Sequence, residues 1–341
     1  MPDSDPQDPI QRANDGSLDL YDVVDWDVRS PLDRFAVKTY GTLVASSRVF
    51  VVLLALLVVL GQFAAAFGFV FLERPYVGAY VVLSVVPALV LVWYVWRSDV
   101  TMREPLELLA VTFALGFLFA GFAAIVNSAL QSTFAAVGLA GTVLFFFLVV
   151  GPVEETVKWL AVRLYAYRSG RFDAVVDGAV YGAVAGLGFA TIENSIYIVG
   201  DVIQTTQAAG IDPGAAALQI AAVRTFAGPG HVIYSAFAGY YLGLAKFNPE
   251  NRGPIVVKGL VVAAGIHATY NTIVSNLDIV YNAVPVPSAL VFIAFVVVYD
   301  GFFFSLLVRK LRRYRRAYEE TDAAAYYEGD TDLKSAVRRI D

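Results

Sequence analysis

The 341-residue chain contains no cysteine, which excludes disulfide bridges, thiolate catalysis and cysteine-ligated zinc. Histidine is scarce too: His231 and His267 are the only two. Any metal site must therefore be built from carboxylates and at most those two imidazoles. Charged residues make up 16% of the chain, against roughly 25% in soluble globular domains. The sequence carries no glycine-rich nucleotide loop, no repeat array and no HExxH zincin motif. What is abundant is apolar: 58% of residues are hydrophobic and the mean hydropathy is +0.62. That balance places the chain among membrane proteins before any window is read.

A spanning helix needs about 20 mostly apolar residues. Eight segments qualify, near 49–72, 76–96, 106–127, 137–163, 174–199, 226–247, 255–277 and 288–308. The first, second and eighth are plain Val/Leu/Phe/Ala runs suited to lipid. The fourth to seventh are richer in Gly, Ala, Ser and Thr and are expected to form the inner bundle, since small residues let membrane helices approach closely. Basic residues alternate between loops. Arg97 and Arg103 follow the second segment, Arg163, Arg168 and Arg171 the fourth, Lys246 and Arg252 the sixth, and a run from Arg309 to Arg316 the eighth. The opposite loops hold few. The positive-inside rule then predicts an all-α polytopic transmembrane helix bundle of about eight spans, both termini cytoplasmic, in the plasma membrane.

Outside the bundle (47–308), residues 1–46 form a polar acidic cytoplasmic segment and 309–341 a basic then acidic cytoplasmic tail. No cleavable signal peptide is visible in the Asp-rich first 45 residues, so the first helix is expected to act as an uncleaved signal-anchor. The acidic ends are compatible with a high-salt cytoplasm, and an ordinary acidic tail accounts for them equally. The basic run after the eighth segment reads as a stop-transfer and lipid-headgroup anchor, and no nucleic-acid surface is apparent.

Polar residues inside four consecutive spans carry the chemistry. They are Gly151-Pro152-Val153-Glu154-Glu155-Thr156-Val157-Lys158, Phe189-Ala190-Thr191-Ile192-Glu193-Asn194, Gly228-Pro229-Gly230-His231 and His267-Ala268-Thr269-Tyr270-Asn271. An ionised carboxylate at the bilayer centre costs at least about 2.5–3.5 kcal/mol, so such residues are functional by default. The bland reading is a packing clamp in which Lys158 neutralises Glu154 one turn away. It accounts for one pair and poorly for five ionisable groups on four helices. The groups also share a depth. Glu154, Glu155 and Glu193 are nearly equidistant from Asp173 in one hairpin turn, and His231 and His267 each lie 18 residues from Pro249 in the next. Pro152 is expected to kink the fourth span, and Gly228-Pro229-Gly230 to break the sixth before His231. Broken backbone at membrane depth is tolerated where it lines a cavity.

Two hydrolytic arrangements fit. In one, Glu193, His231 and His267 hold a divalent metal such as zinc, which lowers the pKa of a bound water. In the other, no metal is used and crowded carboxylates act as general base and acid. Asn271 and a histidine are placed to donate hydrogen bonds to an oxyanion.

At these residues the chain resembles the PrsW family of intramembrane proteases, within the wider superfamily that includes the CAAX prenyl proteases. The family's EExxK pattern is met by Glu154, Glu155 and Lys158. Its DGxVYG…GF…EN stretch is met by Asp177, Gly178, Val180, Tyr181, Gly182, Gly188, Phe189, Glu193 and Asn194. The R…GH…GYY.G stretch is met by Arg224, Gly230, His231, Gly239, Tyr240, Tyr241 and Gly243, and HxxxN by His267 and Asn271. The likeness covers roughly residues 105–310 and leaves both tails outside. It implies a membrane-embedded endopeptidase that cuts membrane-anchored proteins. Glu154, Glu155, Glu193, His231 and His267 would be the catalytic or metal-binding set, with Lys158, Asn194 and Arg224 in support. The superfamily has been described both as metallo- and as glutamic-type peptidases, so the cofactor stays open. The competing classes are a proton- or ion-coupled transporter, since buried acids also build proton relays, and a non-catalytic membrane scaffold.

Overall fold

The computed structural model describes residues 71–320 except 102, 208–211 and 284, together with positions 19, 28–35, 37–39, 53, 57, 60, 61, 63, 64, 67, 68 and 70. The acidic tail at 321–341 and most of the segment at 1–46 lie outside the described residues. The chain divides into two units, Met1–Leu54 and Ala55–Asp341. In the first, residues 31–35 and 37–39 are helical. Ser30 and Asp33 cap that turn reciprocally, Ser30 N–H donating to Asp33 Oδ2 (2.6 Å) and Asp33 N–H to Ser30 Oγ (3.1 Å).

Among its described residues the second unit is built of helices, with no strand. Every described position from 55 to 73 is helical, in keeping with the first apolar segment. Then follow α1 (Pro75–Arg97), α2 (Leu106–Ala135), α3 (Gly138–Phe145), a π-helical turn (Phe146–Val150) and α4 (Gly151–Leu164). After these come α5 (Val175–Gln207), α6 (Pro213–Lys246), α7 (Arg252–Val274), the short α8 (Asp278–Ala283) and α9 (Ser288–Glu320). Helices satisfy their own backbone groups, which is what a lipid solvent demands. Six helical stretches are long and apolar enough to cross a membrane: Pro75–Arg97, Leu106–Ala135, Gly138–Arg168, Val175–Thr205, Pro249–Val274 and Ser288–Glu319. The chain is thus a multi-pass integral membrane protein. The segment expected at 226–247 lies in α6, which is not among the six. Its apolar residues alternate with Arg224, Thr225, His231 and Ser235, and its second half is buried in protein on nearly every side.

Helices α5 and α6 form the centre and pack along each other, with α1, α2 and α7 against them. The reason is a glycine row. Cβ atoms on Gly178, Gly182 and Gly186 would lie only 2.1, 2.3 and 2.4 Å from the carbonyl oxygens of Gly239, Ser235 and His231. Spaced four apart, these glycines sit on one face of α5 and let the α6 backbone come into contact. Their row ends beside His231, so it fixes that residue's height against α5. Helix α1, expected to be a plain lipid-facing span, is two-sided: Val82, Leu83, Val86 and Val90 are exposed, whereas Val77, Val81, Ser84, Ala88 and Val95 are buried.

The two expected helix irregularities turn out differently. Pro152 stands at the start of α4 directly after the π-helical turn. The wider turn makes room for a ring that would otherwise meet the carbonyl four residues back. At Gly228-Pro229-Gly230 no break occurs: α6 runs unbroken from Pro213 to Lys246 with Pro229 inside it. Glycine on either side removes the side chains that would crowd the ring.

The basic loops meet at one end of the bundle. Arg171 Nη2 donates to the Arg103 carbonyl (3.4 Å), and Lys246 Nζ donates to the carbonyls of Tyr167 (2.9 Å) and Phe172 (2.7 Å).

Candidate active site

Helix α4 places two adjacent acids differently. Glu155 is fully buried and both its oxygens are used. Oε1 accepts from Lys158 Nζ (2.7 Å) and lies 2.9 Å from His267 Nδ1, while Oε2 accepts from Ser235 Oγ (3.3 Å). Glu154 is only half satisfied. Its Oε1 accepts from Asn127 Nδ2 (3.0 Å), and its Oε2 is buried with no hydrogen-bond partner. That free oxygen is 3.7 Å from His267 Nε2. The Lys158 ammonium is 3.8 Å from it and 2.7 Å from Glu155 Oε1, so the lysine pairs with both acids and more closely with Glu155. Lys158 also contacts His231 Nδ1 (3.0 Å) and stands over the Phe189 ring at 4.1 Å, where the ring face favours a cation.

Glu193 on α5 is held from α6. Its Oε2 lies 2.6 Å from His231 Nε2 and accepts from Arg224 Nη2 (2.8 Å). Arg224 Nε donates to Asn194 Oδ1 (2.9 Å), and its guanidinium lies over the Tyr197 ring at 4.3 Å. Asn194 Nδ2 in turn donates to Ser84 Oγ on α1 (3.0 Å). The two imidazole centroids are 5.1 Å apart. All five expected ionisable residues, with Lys158, Asn194 and Arg224, therefore converge from α4, α5, α6 and α7.

A cavity of about 670 Å³ opens on this cluster. Glu154, Glu193, His231, His267 and Asn271 line it, and it extends toward Gln131 on α2 and Ser275 beyond α7. Glu155 and Lys158 lie behind the wall. Asn271 faces the space one helical turn from His267. Three further groups were not singled out from sequence. Asn127 on α2 closes the third apolar segment and is followed by Ser128 and Gln131, and nothing nearby in sequence betrays its partner. Ser235 offered no signal. Asp300 did: it is an acid inside the last span. It accepts from Tyr234 Oη (2.7 Å), and the Tyr234 ring lies against His267 at 5.6 Å.

The donor set fits a catalytic metal. Single ligand atoms from Glu154, His231 and His267 lie within 4.8 Å of one another. Two imidazoles, one carboxylate and an open side toward a cavity match a catalytic zinc pattern. The His267 Nδ1 contact with Glu155 is the usual outer contact that aims Nε2 at a metal. This triangle holds Glu154 where the expected set has Glu193, whose Oε2 lies 2.6 Å from His231 Nε2. His231 is engaged at both ring nitrogens, so ligation by it requires release of Glu193 or Lys158. The counts of acids and bases lead to the same place: three carboxylates face one lysine and one arginine, leaving room for a proton or a metal.

The family model described as PrsW family intramembrane metalloprotease matches residues 104–300. Protease PrsW of Shouchella clausii is 28% identical over 207 residues, spanning 60% of this chain and 88% of that protein. Protease PrsW of Halalkalibacterium halodurans is 29% identical, over 56% of this chain and 80% of that protein. The Bacillus subtilis protein of the same name is 28% identical, over 57% and 82%. No solved structure matches the chain. With the matched region covering more than half of the chain, including all four helices of the cluster, the chain belongs to the PrsW family of intramembrane proteases.

Proposed function

We propose that the cluster hydrolyses peptide bonds of membrane-anchored protein substrates, with Glu154 as the group that activates water. The observation that carries this reading is the Glu154 Oε2 atom, which is buried and without a hydrogen-bond partner and lies 3.7 Å from His267 Nε2, in a residue that lines the cavity. A water seated between these two atoms gives up a proton to Glu154 as its oxygen attacks the scissile carbonyl carbon. The proton then passes to the leaving amine. Asn271 donates to the developing oxyanion, and the His231 Nε2–H joins it once released from Glu193. Glu155 and Lys158 act behind them as positioning residues, one holding His267 Nδ1 and the other His231 Nδ1. Arg224 and Asn194 position Glu193. If zinc is used, Glu154, His231 and His267 would hold it, the ion would supply a more acidic water and polarise the carbonyl, and another glutamate would take over as base. The end that carries the basic loops is assigned to the cytoplasm.

The test uses full-length protein purified in detergent and a membrane-anchored test substrate. Glu154→Gln, Glu193→Gln, His231→Ala and His267→Ala should each remain folded and lose cleavage. Metal content measured on the same samples separates the two versions, since zinc should co-purify stoichiometrically only if it is used. Cleavage by all four variants at the wild-type rate would remove the assignment.

A further inference from the structure

A second group of acids lies at the end of the bundle where the basic loops gather, away from the cavity. Asp99 and Glu104 stand in the α1–α2 connection, and Asp177 in the first turn of α5. One carboxylate oxygen from each lies within 4.8 Å of the other two. Glu104 is 4% exposed and Asp177 0%. In each acid one oxygen is anchored by the protein. Thr101 N–H (2.8 Å) and Oγ1 (2.7 Å) donate to Asp99 Oδ1. Tyr181 Oη donates to Glu104 Oε2. The N–H groups of Asp173 (2.7 Å) and Ala174 (2.8 Å) donate to Asp177 Oδ2. The remaining oxygens, Asp99 Oδ2, Glu104 Oε1 and Asp177 Oδ1, are buried and have no hydrogen-bond partner.

Nearby cations do not fill the gap. Arg171 donates to the Arg103 carbonyl, and Lys246 to the carbonyls of Tyr167, Ser169 and Phe172. Among the described residues no Lys or Arg nitrogen lies within 4.0 Å of the three acids. Buried carboxylates without a counter-charge are unfavourable unless something neutralises them. The arrangement is also unlike a hydrogen-bonded cap, in which the acceptors would be used up. Each acid is held by one oxygen and has a second, buried oxygen without a partner, and the three carboxylates lie close together.

We propose that Asp99, Glu104 and Asp177 bind a hard divalent cation of the Mg²⁺ or Ca²⁺ type, tying the α1–α2 connection to the start of α5. Carboxylate-only donors select such ions, whereas the imidazole-containing set around Glu154 suits zinc. The two sites are therefore separable by metal chemistry as well as by position. Helix α5 carries Glu193, so the cation would anchor the base of a helix that reaches the candidate active site.

Mn²⁺, read by electron paramagnetic resonance, serves as the probe on full-length protein freed of metal in detergent. Saturable binding of one Mn²⁺ that Mg²⁺ or Ca²⁺ displaces is expected. Its affinity should fall by about tenfold or more in Glu104→Gln and in Asp99→Asn, and should be unchanged in Glu154→Gln. Asp99 sits in a partly exposed connection, so Asp99→Asn carries the comparison should Glu104→Gln not fold. Absence of saturable binding to wild type would overturn the proposal, as would an isotherm that the Asp99 and Glu104 variants leave intact. Loss of the site in Glu154→Gln would assign the ion to the active-site cluster instead, and overturn it equally.

Discussion

Adjacent glutamates on α4 should fail in opposite ways when altered. Glu155→Ala removes the closer partner of a lysine whose side chain is 0% exposed. Breaking a buried pair from one side costs about 3–5 kcal/mol. The contacts to His267 and Ser235 add about 1 kcal/mol each. A loss of at least about 4 kcal/mol is a large share of a total stability of about 5–15 kcal/mol. In a chain of this size it should lower Tm by roughly 10 °C. Glu154→Gln is different. Its Oε2 has no hydrogen bond to lose, and the glutamine carbonyl can still accept from Asn127. Stability should change by about 1 kcal/mol or less, while cleavage falls by about 10²–10⁴-fold through loss of the base. Thermal unfolding in detergent and cleavage of a membrane-anchored substrate, run on both variants, read the two effects separately. A Glu155→Ala protein within about 2 °C of wild type, or a Glu154→Gln protein cleaving at half the wild-type rate, would refute the division of labour.

Other expectations follow from single contacts. Asn127→Ala frees Glu154 Oε1 and should cut the cleavage rate by about tenfold with Tm nearly unchanged; an unaltered rate would show that α2 does not orient the acid. Gly182→Ala puts a methyl group 2.3 Å from the Ser235 carbonyl. It should cost about 1–3 kcal/mol and lower activity by shifting His231, read by unfolding and cleavage together. Burial, and then the Asp177 charge, push Glu104 up to about 9. The folded chain thus holds that proton more tightly than the unfolded chain. With divalent cations chelated, stability should decline as pH rises from the ordinary carboxylate range toward 9. Glu104→Gln should flatten that decline, and a wild-type stability that stays level across the window would contradict it.

Much of the site was legible because lipid makes charge conspicuous. Glu154, Glu155, Lys158, Glu193, His231 and His267 stand out in apolar spans, and equal distances from two hairpin turns put them in one layer. The small residues of the fourth to seventh segments likewise foretold close packing, which the Gly178–Gly182–Gly186 row delivers. Roles were less legible. Whether Glu154 or Glu155 faces the cavity depends on about 100° of helix rotation, and that is set by contacts with Asn127, His267 and Ser235 on three other helices. The same contacts decide that Glu154, not Glu193, shares a ligand-distance triangle with both imidazoles. The break expected at Gly228-Pro229-Gly230 failed because a proline flanked by glycines fits inside a buried helix. Asp300 stands in the sequence as a single acid within an otherwise plain span, and its partner Tyr234 comes from α6, which only the fold brings beside it.

The most direct test of water activation at Glu154 is cleavage of a membrane-anchored substrate by purified protein in ¹⁸O-labelled water, with the products read by mass spectrometry. Wild type should release a fragment whose new carboxyl terminus carries one ¹⁸O atom from solvent, and Glu154→Gln should release none. Intact substrate with wild type, or the same labelled fragment from Glu154→Gln, would contradict the account.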